Sequence, residues 1–207
     1  PKLLIKNKAY GKLVRPILVV TRNYKQVFEV GDPVSQAKIY EAQLADELVI
    51  LNIDRQPISE DLQLLEVIEK LASETFMPLT VGGGVGKLED FALLLERGAD
   101  KVSINSAAVL NPELITKAAD RFGMQCVVVS IDFRYDAERG KNLVYTHGAS
   151  QNSALDVVDW SKRAVDAGAG EILLTDVDRD GAGEGLNLVV AREVADAVDV
   201  PVTLSGG

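Results

Sequence analysis

The stretch Asp46-Glu47-Leu48-Val49-Ile50-Leu51-Asn52-Ile53-Asp54 has a near copy later in the chain, Gly170-Glu171-Ile172-Leu173-Leu174-Thr175-Asp176-Val177-Asp178. A second pair follows at almost the same spacing, with MPLTVGGG at 77–84 and VPVTLSGG at 200–207. The members of the two pairs begin 124 and 123 residues apart. That spacing is half of the roughly 250 residues of a (β/α)8 barrel. The duplication predicts a barrel of two similar half-barrels, whereas a doubly wound sheet gives no reason for it.

Short apolar runs alternate with helical patterns on both sides of these repeats. The runs that predict strands are Leu3–Ile5, Leu48–Ile53, Leu79–Val81, Lys101–Ile104, Cys126–Phe133, Ile172–Thr175 and Val202–Leu204. The periodicities that predict helices cover about Val34–Gln43, Glu60–Ser73, Leu88–Arg97, Pro112–Phe122, Ala154–Ala167 and Leu188–Ala197. Continuous apolar strands are typical of a parallel sheet covered by helices on both faces. The predicted fold class is therefore α/β, specifically a TIM barrel.

The predicted strands do not complete a barrel. The seventh is followed at once by Gly207, the last residue, whereas a barrel of this class has eight strands. We therefore expect a single TIM-barrel domain over residues 1–207, truncated before the eighth strand. Pro1 is not a methionine, so the natural start is also expected upstream.

The composition excludes several classes of function. A hydrophobic content of 47% is enough for a sizeable core, and a net charge of −9 argues against nucleic-acid or anionic-membrane surfaces. The single cysteine, Cys126, excludes an intramolecular disulfide and fits a cytoplasmic protein. Because Cys126 adjoins an apolar run, we expect a buried packing residue there and not a nucleophile.

Two glycine-rich segments follow strands. Gly82, Gly83 and Gly84 come between a predicted strand and a predicted helix, and Ser205, Gly206 and Gly207 are their counterparts in the repeat. Glycines at such a position let backbone N–H groups approach an anion near a helix N-terminus. A tight turn is the alternative interpretation. Two equivalent loops predict a long substrate with a phosphate at each end.

Active sites of these barrels lie at the carboxyl ends of the strands. The polar residues found there are Asn52, Asp54, Ser103, Asn105, Asp132, Asp176, Asp178 and Asp180. Asp132 follows the most apolar strand and is the candidate general acid or base, with a structural salt bridge as the alternative. The acidic run 176–181 contains Arg179 but neither His nor Cys, so no metal site is predicted. His147 is expected to be a solvated loop residue, and Trp160 a helix-packing residue.

Several motifs in order resemble the cyclase subunit family of imidazole glycerol phosphate synthase. They are Gly31-Asp32-Pro33, Asp46-Glu47-Leu48, Val81-Gly82-Gly83-Gly84, Gly98-Ala99-Asp100-Lys101-Val102-Ser103-Ile104-Asn105-Ser106, Gly168–Thr175 and Asp178-Arg179-Asp180-Gly181. The resemblance covers essentially the whole chain. It implies an enzyme that joins ammonia to a ribulosyl-ribosyl aminoimidazole carboxamide substrate carrying two phosphates, closes an imidazole ring and releases a carboxamide nucleotide.

The resemblance also assigns residues. It makes Asp132 catalytic, and it implies substrate or phosphate contacts at Gly82, Gly83, Gly84, Asn105, Ser106, Thr175, Asp180, Gly181, Ser205, Gly206, Gly207 and Arg15. Arg15 stands where the family has a lysine. No cofactor is implied.

One departure from the family pattern falls on a catalytic position. The family has a second catalytic aspartate after Pro-Cys-Leu, and here the chain reads Pro1-Lys2-Leu3-Leu4. Leucine at this position, together with the segment Ala72–Leu79, resembles a branch of the family from surface-polysaccharide clusters. That branch is thought to install an amidino group on a nucleotide-linked acetamido sugar. Leu4 and this segment favour this branch over a histidine-biosynthesis cyclase, because ammonia attack without ring closure could proceed with one acid–base aspartate.

The resemblance further implies a partner glutaminase that supplies the ammonia. Glu47, Lys101 and Glu171, at the starts of three strands, match charged residues that gate the family's ammonia channel. A ring of structural salt bridges is the alternative. Two rival functions stay open: a sugar isomerase of the sister barrel family, which would need carboxylates on the first and fifth strands, and a non-catalytic subunit that only stimulates the glutaminase.

Overall fold

A computed structural model of the chain describes residues 1–54 and 56–207. The described residues form two compact units. The first consists of Pro1–Val20 and Val27–Ser103, and the second of Thr21–Gln26 and Ile104–Gly207. The short segment Thr21–Gln26, although early in the sequence, therefore groups with the second half of the chain.

The first half of the chain consists of β/α units, with two antiparallel strands inserted after the first strand. Its elements are β1 (Lys2–Tyr10), β2 (Leu13–Arg22), β3 (Gln26–Gly31), α1 (Pro33–Ala42), β4 (Leu48–Asn52), α2 (Leu62–Glu74), β5 (Leu79–Gly82), α3 (Leu88–Glu96) and β6 (Lys101–Ile104). Strand β1 pairs in parallel with β4, β4 with β5, and β5 with β6. Strand β2 runs antiparallel to β1, and β3 neighbours β2.

The second half repeats this plan. Its elements are α4 (Ser106–Leu110), α5 (Glu113–Phe122), β7 (Val127–Asp136), β8 (Lys141–Thr146), β9 (Gln151–Asp156), α6 (Val157–Asp166), β10 (Glu171–Asp176), α7 (Leu188–Ala195) and β11 (Val202–Ser205). Strands β7, β10 and β11 pair in parallel. Strand β8 is antiparallel to β7, and β9 is antiparallel to β8.

The α/β fold class is confirmed, and the parallel β/α order is that of a partial TIM barrel. Each of the seven predicted strands is present, as β1, β4, β5, β6, β7, β10 and β11. The apolar residues that predicted them form the core: Ile50, Val81, Val129 and Ile172 are fully buried. Trp160 is buried as predicted.

Four strands, the short α-helix α4 and the 3-10 helices Ile58–Glu60 and Met124–Cys126 were not predicted. In β2 only Leu18 and Val19 are buried, and all of β3 is exposed. Pro16 lies within β2, opposite Asn7 of β1. Strand β7 ends at Asp136 and not at Phe133 as predicted, because β8 pairs with its second half. Because β9 continues to Asp156, helix α6 begins three residues later than predicted, at Val157.

Capping residues explain where several helices begin. Asp32 accepts a hydrogen bond from the Ser35 N–H and is followed by Pro33 at the first helical position of α1, a favoured combination. Asp156 accepts bonds from two N–H groups at the start of α6. Cys126 lies in a 3-10 turn and is half-buried, so the prediction of a buried packing residue was wrong in its degree of burial. Within residues 1–54 and 56–207, the helices all fall short of the length and apolar character needed to cross a bilayer.

Candidate active site

The second unit gathers its candidate chemistry around Asp132. Asp132 lies on β7 opposite Thr175 of β10, near the end of their parallel pairing, and only 6% of it is exposed. Its Oδ1 accepts a hydrogen bond from the Tyr24 hydroxyl at 2.8 Å, and its Oδ2 accepts one from the Asn105 side-chain amide at 2.9 Å. Donors on both oxygens fix the orientation of the carboxylate, as a proton-transfer group requires.

Leu4 occupies the position in the first unit that corresponds to Asp132. Leu4 pairs with Leu51 between β1 and β4, and Asp132 pairs with Thr175 between β7 and β10. Leu51 and Thr175 are corresponding residues of the duplicated segment. A leucine side chain exchanges no protons, so this position of the first unit has no counterpart of the Asp132 carboxylate.

Tyr24 is a residue of this site that sequence analysis missed. It lies at the tip of the hairpin between β2 and β3, and 108 residues separate it from Asp132. Burial of the phenol, with the negative charge of Asp132 and their hydrogen bond, raises the pKa of Tyr24 well above its usual 10.0. Asp180 adds to this rise in pKa, and the Thr175 hydroxyl opposes it. Tyr24 therefore keeps its proton and acts as a donor at neutral pH.

Asn105 and Ser106 lie where strand β6 gives way to helix α4. Asn105 contacts Asp132, and its own Oδ1 is buried without a hydrogen-bond partner among the described residues. Ser106 Oγ accepts a hydrogen bond from the backbone N–H of His147 at 2.8 Å. The imidazole of His147 is exposed, as predicted for a loop residue. The unpartnered Asn105 oxygen beside a carboxylate is an acceptor suited to an N–H or O–H group of a ligand.

The first glycine loop is shaped by close backbone packing. Gly83 and Gly84 both have positive φ, and a Cβ on Gly83 would lie 2.0 Å from the carbonyl oxygen of Asn52. The N–H groups of Gly86 and Lys87, just before α3, donate to the Asp90 carboxylate. Glycine is therefore required here for chain geometry, whatever anion the loop holds. An internal carboxylate already takes two of the amides at this helix start.

The second glycine loop repeats the first. Gly206 has φ of +88°, and a Cβ there would lie 2.6 Å from the carbonyl oxygen of Asp176, the counterpart of Asn52. Gly207 approaches the backbone of Gly185. Ser205 ends β11 and pairs with Thr175. The loop thus belongs to the same unit as Asp132 and follows a neighbouring strand.

Asp180 and Gly181 contact the protein itself. The Asp180 carboxylate accepts a hydrogen bond from the Thr21 hydroxyl at 2.6 Å, and its carbonyl accepts one from the Asn23 N–H at 2.8 Å. A Cβ on Gly181 would lie 2.2 Å from the Thr21 carbonyl oxygen. These two residues were expected to bind substrate. In the structure they seat the β2–β3 hairpin.

Comparison with known proteins identifies the family. The sequence model of a family described as "Histidine biosynthesis protein" matches residues 9–207. The chain belongs to this family. It is also 49% identical, over 208 residues, to the imidazole glycerol phosphate synthase subunit HisF of Lactococcus lactis subsp. lactis strain IL1403. That alignment covers all of this chain and 76% of the relative.

The match to the histidine biosynthesis family begins beyond Leu4. Residues 9–207 include Asp132, Asn105, both glycine loops and the hairpin of Tyr24. The match to this family therefore covers the portion of the chain that holds Asp132. It does not depend on the replaced position.

In the first unit, two of the three charged residues at the strand starts form an ion pair. Lys101 Nζ lies 2.8 Å from Glu47 Oε2, and the Thr80 hydroxyl also donates to Glu47. In the second unit Glu171 accepts a hydrogen bond from the Thr203 hydroxyl at 2.7 Å. The hydrogen bond from a threonine to a glutamate thus occurs in both halves. It gives these glutamates a structural role that is separate from the proposed role in ammonia transfer.

Arg15 lies on the antiparallel strand β2, opposite Lys8. It lines an open groove together with Tyr10, Glu29 and Asp32. Arg15, which was expected to contact substrate, therefore lies exposed in a mixed-charge groove of the first unit.

Proposed function

We propose that this chain is the cyclase-type subunit of a synthase in histidine biosynthesis, with Asp132 as its acid–base group. The observation that carries the proposal is the Asp132 carboxylate, buried and held by Tyr24 and Asn105. The identity of 49% to a subunit named for imidazole glycerol phosphate synthase supports the same reaction. On this proposal the chain makes imidazole glycerol phosphate.

The chemistry needs a group that accepts protons from an attacking nitrogen and returns them as bonds break. Asp132 is suited to this role because its carboxylate is enclosed yet polar on both sides. The buried Asn105 oxygen, which lacks a partner among the described residues, adds an acceptor that orients an N–H group of the nucleophile or substrate. Leu4 leaves Asp132 to serve both proton-transfer steps.

The two glycine loops are proposed to bind the terminal phosphates. Support comes from their positions after strands β5 and β11 and from their shared backbone geometry. Phosphate sites of such barrels use backbone N–H groups of these loops. Asn105 and Ser106 are proposed to contact substrate within the second unit, and Thr175 and Ser205 are proposed to extend the second loop's site.

A glutaminase subunit is the proposed partner. Ammonia is protonated in water at neutral pH and is then no longer a nucleophile, so an ammonia-using site requires a sheltered supply. Glu47, Lys101 and Glu171, all at strand starts, are the proposed gate. The paired arrangement of Glu47 and Lys101 fits a closed gate as well as a structural ion pair.

Leu4 favours a second candidate, the amidino-sugar branch of surface-polysaccharide synthesis. In that reaction ammonia attacks but no ring closes, so one carboxylate suffices. The acceptor would be a nucleotide-linked acetamido sugar in place of the two-phosphate substrate. The family assignment and the named relative support the histidine reaction more directly.

An ammonium-dependent assay tests the proposal. The full-length protein would receive an ammonium salt at high pH with the two-phosphate substrate, and release of the carboxamide nucleotide would be measured. We expect turnover, and we expect Asp132→Asn to lower kcat by about 10²–10⁴-fold, the range for loss of one acid–base group.

Asp120→Asn, an exposed substitution on α5, is the matched control and should leave kcat unchanged. Turnover only with the nucleotide-linked acetamido sugar would replace the histidine reaction by the second candidate. Unchanged turnover in Asp132→Asn would exclude Asp132 as the acid–base group and require a different base. No turnover with either acceptor, by a protein that still stimulates a glutaminase, would favour the non-catalytic function.

A further inference from the structure

The tip of the β2–β3 hairpin is fixed by contacts within the second unit. The Asn23 N–H and the Thr21 hydroxyl both donate to Asp180, one to its carbonyl and one to its carboxylate. Asp180 is itself buried. Gly181 leaves the space that the Thr21 carbonyl fills. Three contacts thus place one hairpin tip against the loop that follows β10.

The backbone of this tip is strained in a way that positions Tyr24. Arg22 accepts a hydrogen bond from the Lys25 N–H, and the two residues between them, Asn23 and Tyr24, have φ of +53° and +59°. This is the two-residue turn with both central residues left-handed, whose second position is usually glycine. A bulky residue in that conformation is uncommon and costs conformational energy. Such strain is characteristic of positions where the side chain serves a purpose.

The side chain so placed meets the one carboxylate of the proposed active site. Its hydroxyl donates to Asp132 Oδ1 at 2.8 Å, on the side opposite the Asn105 donor. The high pKa of the Tyr24 phenol keeps this donor in place across the neutral range. With Leu4 at the corresponding position of the first unit, no second carboxylate is available there to share proton transfer.

We propose that Tyr24 is a positioning residue for Asp132, held by the hairpin tip so that its hydroxyl and Asn105 together orient the carboxylate. This inference rests on the proposed function, in which Asp132 transfers protons. Asp180 and Gly181 contribute indirectly to this positioning, because they contact the turn that carries Tyr24.

The test is Tyr24→Phe, which removes the hydroxyl and retains the ring. A hydrogen bond to a charged group corresponds to about a tenfold to hundredfold effect. We expect kcat of the ammonium-dependent reaction to fall by that factor, with KM changed less than about threefold. The acidic limb of the pH–rate profile should move to higher pH, because the carboxylate loses a donor that favours its charged form.

Tyr135→Phe is the matched control, since Tyr135 lies on the same strand as Asp132 and is 63% exposed. It should leave kcat and the pH profile unchanged. Gly181→Ala should displace the hairpin tip and reproduce the loss seen in Tyr24→Phe. The double variant should lose little more than either single one. Full additivity would overturn the link between Gly181 and Tyr24.

Spectrophotometric titration of the tyrosines tests the contact independently of activity. In the unmodified protein one tyrosine should ionise well above the others, and Tyr24→Phe should remove that one. Asp132→Asn should lower its apparent pKa, because Asp132 and Asp180 are the charges that raise it. An unmodified protein that lacks turnover but shows this titration contradicts the proposed function alone. Turnover with unchanged kcat and pH profile in Tyr24→Phe would overturn the positioning inference.

Discussion

In each half of the chain, an amide side chain pairs with a carboxylate between a strand end and a helix N-cap, but the two groups occupy opposite positions in the two halves. In the first half Asn52, at the end of β4, donates to Asp61, the N-cap of α2, at 3.1 Å. In the second half Asp176, at the end of β10, accepts from Asn187, the N-cap of α7, at 2.8 Å. In both halves the strand-end side chain also accepts a bond from the N–H two residues later.

This exchange separates structural from chemical requirements. The junction of strand and helix needs one amide and one carboxylate, and either order satisfies it. The Leu4 position is different in kind, because Leu4 matches Asp132 in register but its side chain carries no carboxylate. Both halves share the polar junction, and the proposed acid–base chemistry lies in the second half.

The glycines that follow β5 and β11 give the largest expected effect on stability. Gly83→Ala would bring a Cβ to 2.0 Å from the Asn52 carbonyl, and Gly206→Ala to 2.6 Å from that of Asp176. We expect free-energy losses of about 3–5 kcal/mol for the first and about 2–3 kcal/mol for the second, measured by urea unfolding.

Gly140→Ala isolates the cost of the backbone angle. Gly140 has φ of +63° and no atom near the position of a Cβ. It should cost only about 1–2 kcal/mol. If Gly83→Ala cost no more than Gly140→Ala, close backbone packing would not be the reason for glycine in the repeat, and an anion-binding role would gain weight.

Exchanging the polar pair tests whether the two halves obey the same rule. Asn52→Asp sets two carboxylates side by side and should cost about 2–3 kcal/mol. Adding Asp61→Asn recreates the order of the second half and should recover most of that loss, because asparagine is an equally good N-cap. The measurement is a double-mutant cycle by urea unfolding.

Recovery should be incomplete, since Asp61 also accepts a hydrogen bond from the Asn7 side chain. Asp176→Asn in the second half is the comparison variant and should cost less than Asn52→Asp, because two amides can still pair. Simple additivity of Asn52→Asp and Asp61→Asn would contradict the interchangeability of the two arrangements.

The parallel strands and the loops that follow them are the part of the molecule that sequence predicts. Apolar runs such as Val127–Ile131 form strands because burial on both faces leaves no other arrangement for them. The glycine loops were found because they recur at a fixed spacing. Asp132 was found because it follows such a run.

The antiparallel strands and their contacts were not predicted. Strand β3 is exposed along its whole length, so no buried face indicates it, and the apolar run of β2, residues 17–20, is short and buried only at Leu18 and Val19. Tyr24 is far from Asp132 in sequence, and its position depends on a left-handed turn that propensity disfavours for tyrosine. Asp180 is an acid in a family motif, and only tertiary structure shows that it holds the hairpin. Asn23 was the available sequence feature, because asparagine favours the left-handed conformation of a two-residue hairpin turn.

The smallest expected effect concerns an ion pair that only the first half contains. Lys38 on α1 lies 2.5 Å from Glu74 at the end of α2, whereas residues 124 positions later are Lys162 and Val198. The hydrogen bond from Lys38 lowers the pKa of Glu74 below its usual 4.5. Stability from this pair is therefore present above pH 4.5 and is lost as pH falls through the lowered pKa.

Glu74→Gln should lower the urea midpoint slightly at pH 7 and progressively less toward pH 3, where the unmodified carboxylate is also neutral. The difference at pH 7 should shrink in about 1 M salt, because the pair is partly exposed. Glu66→Gln, an exposed change on the same helix, should show no such pH dependence. A Glu74→Gln deficit that stayed constant from pH 7 to pH 3 would mean that packing of the side chain, and not its charge, distinguishes the first half here.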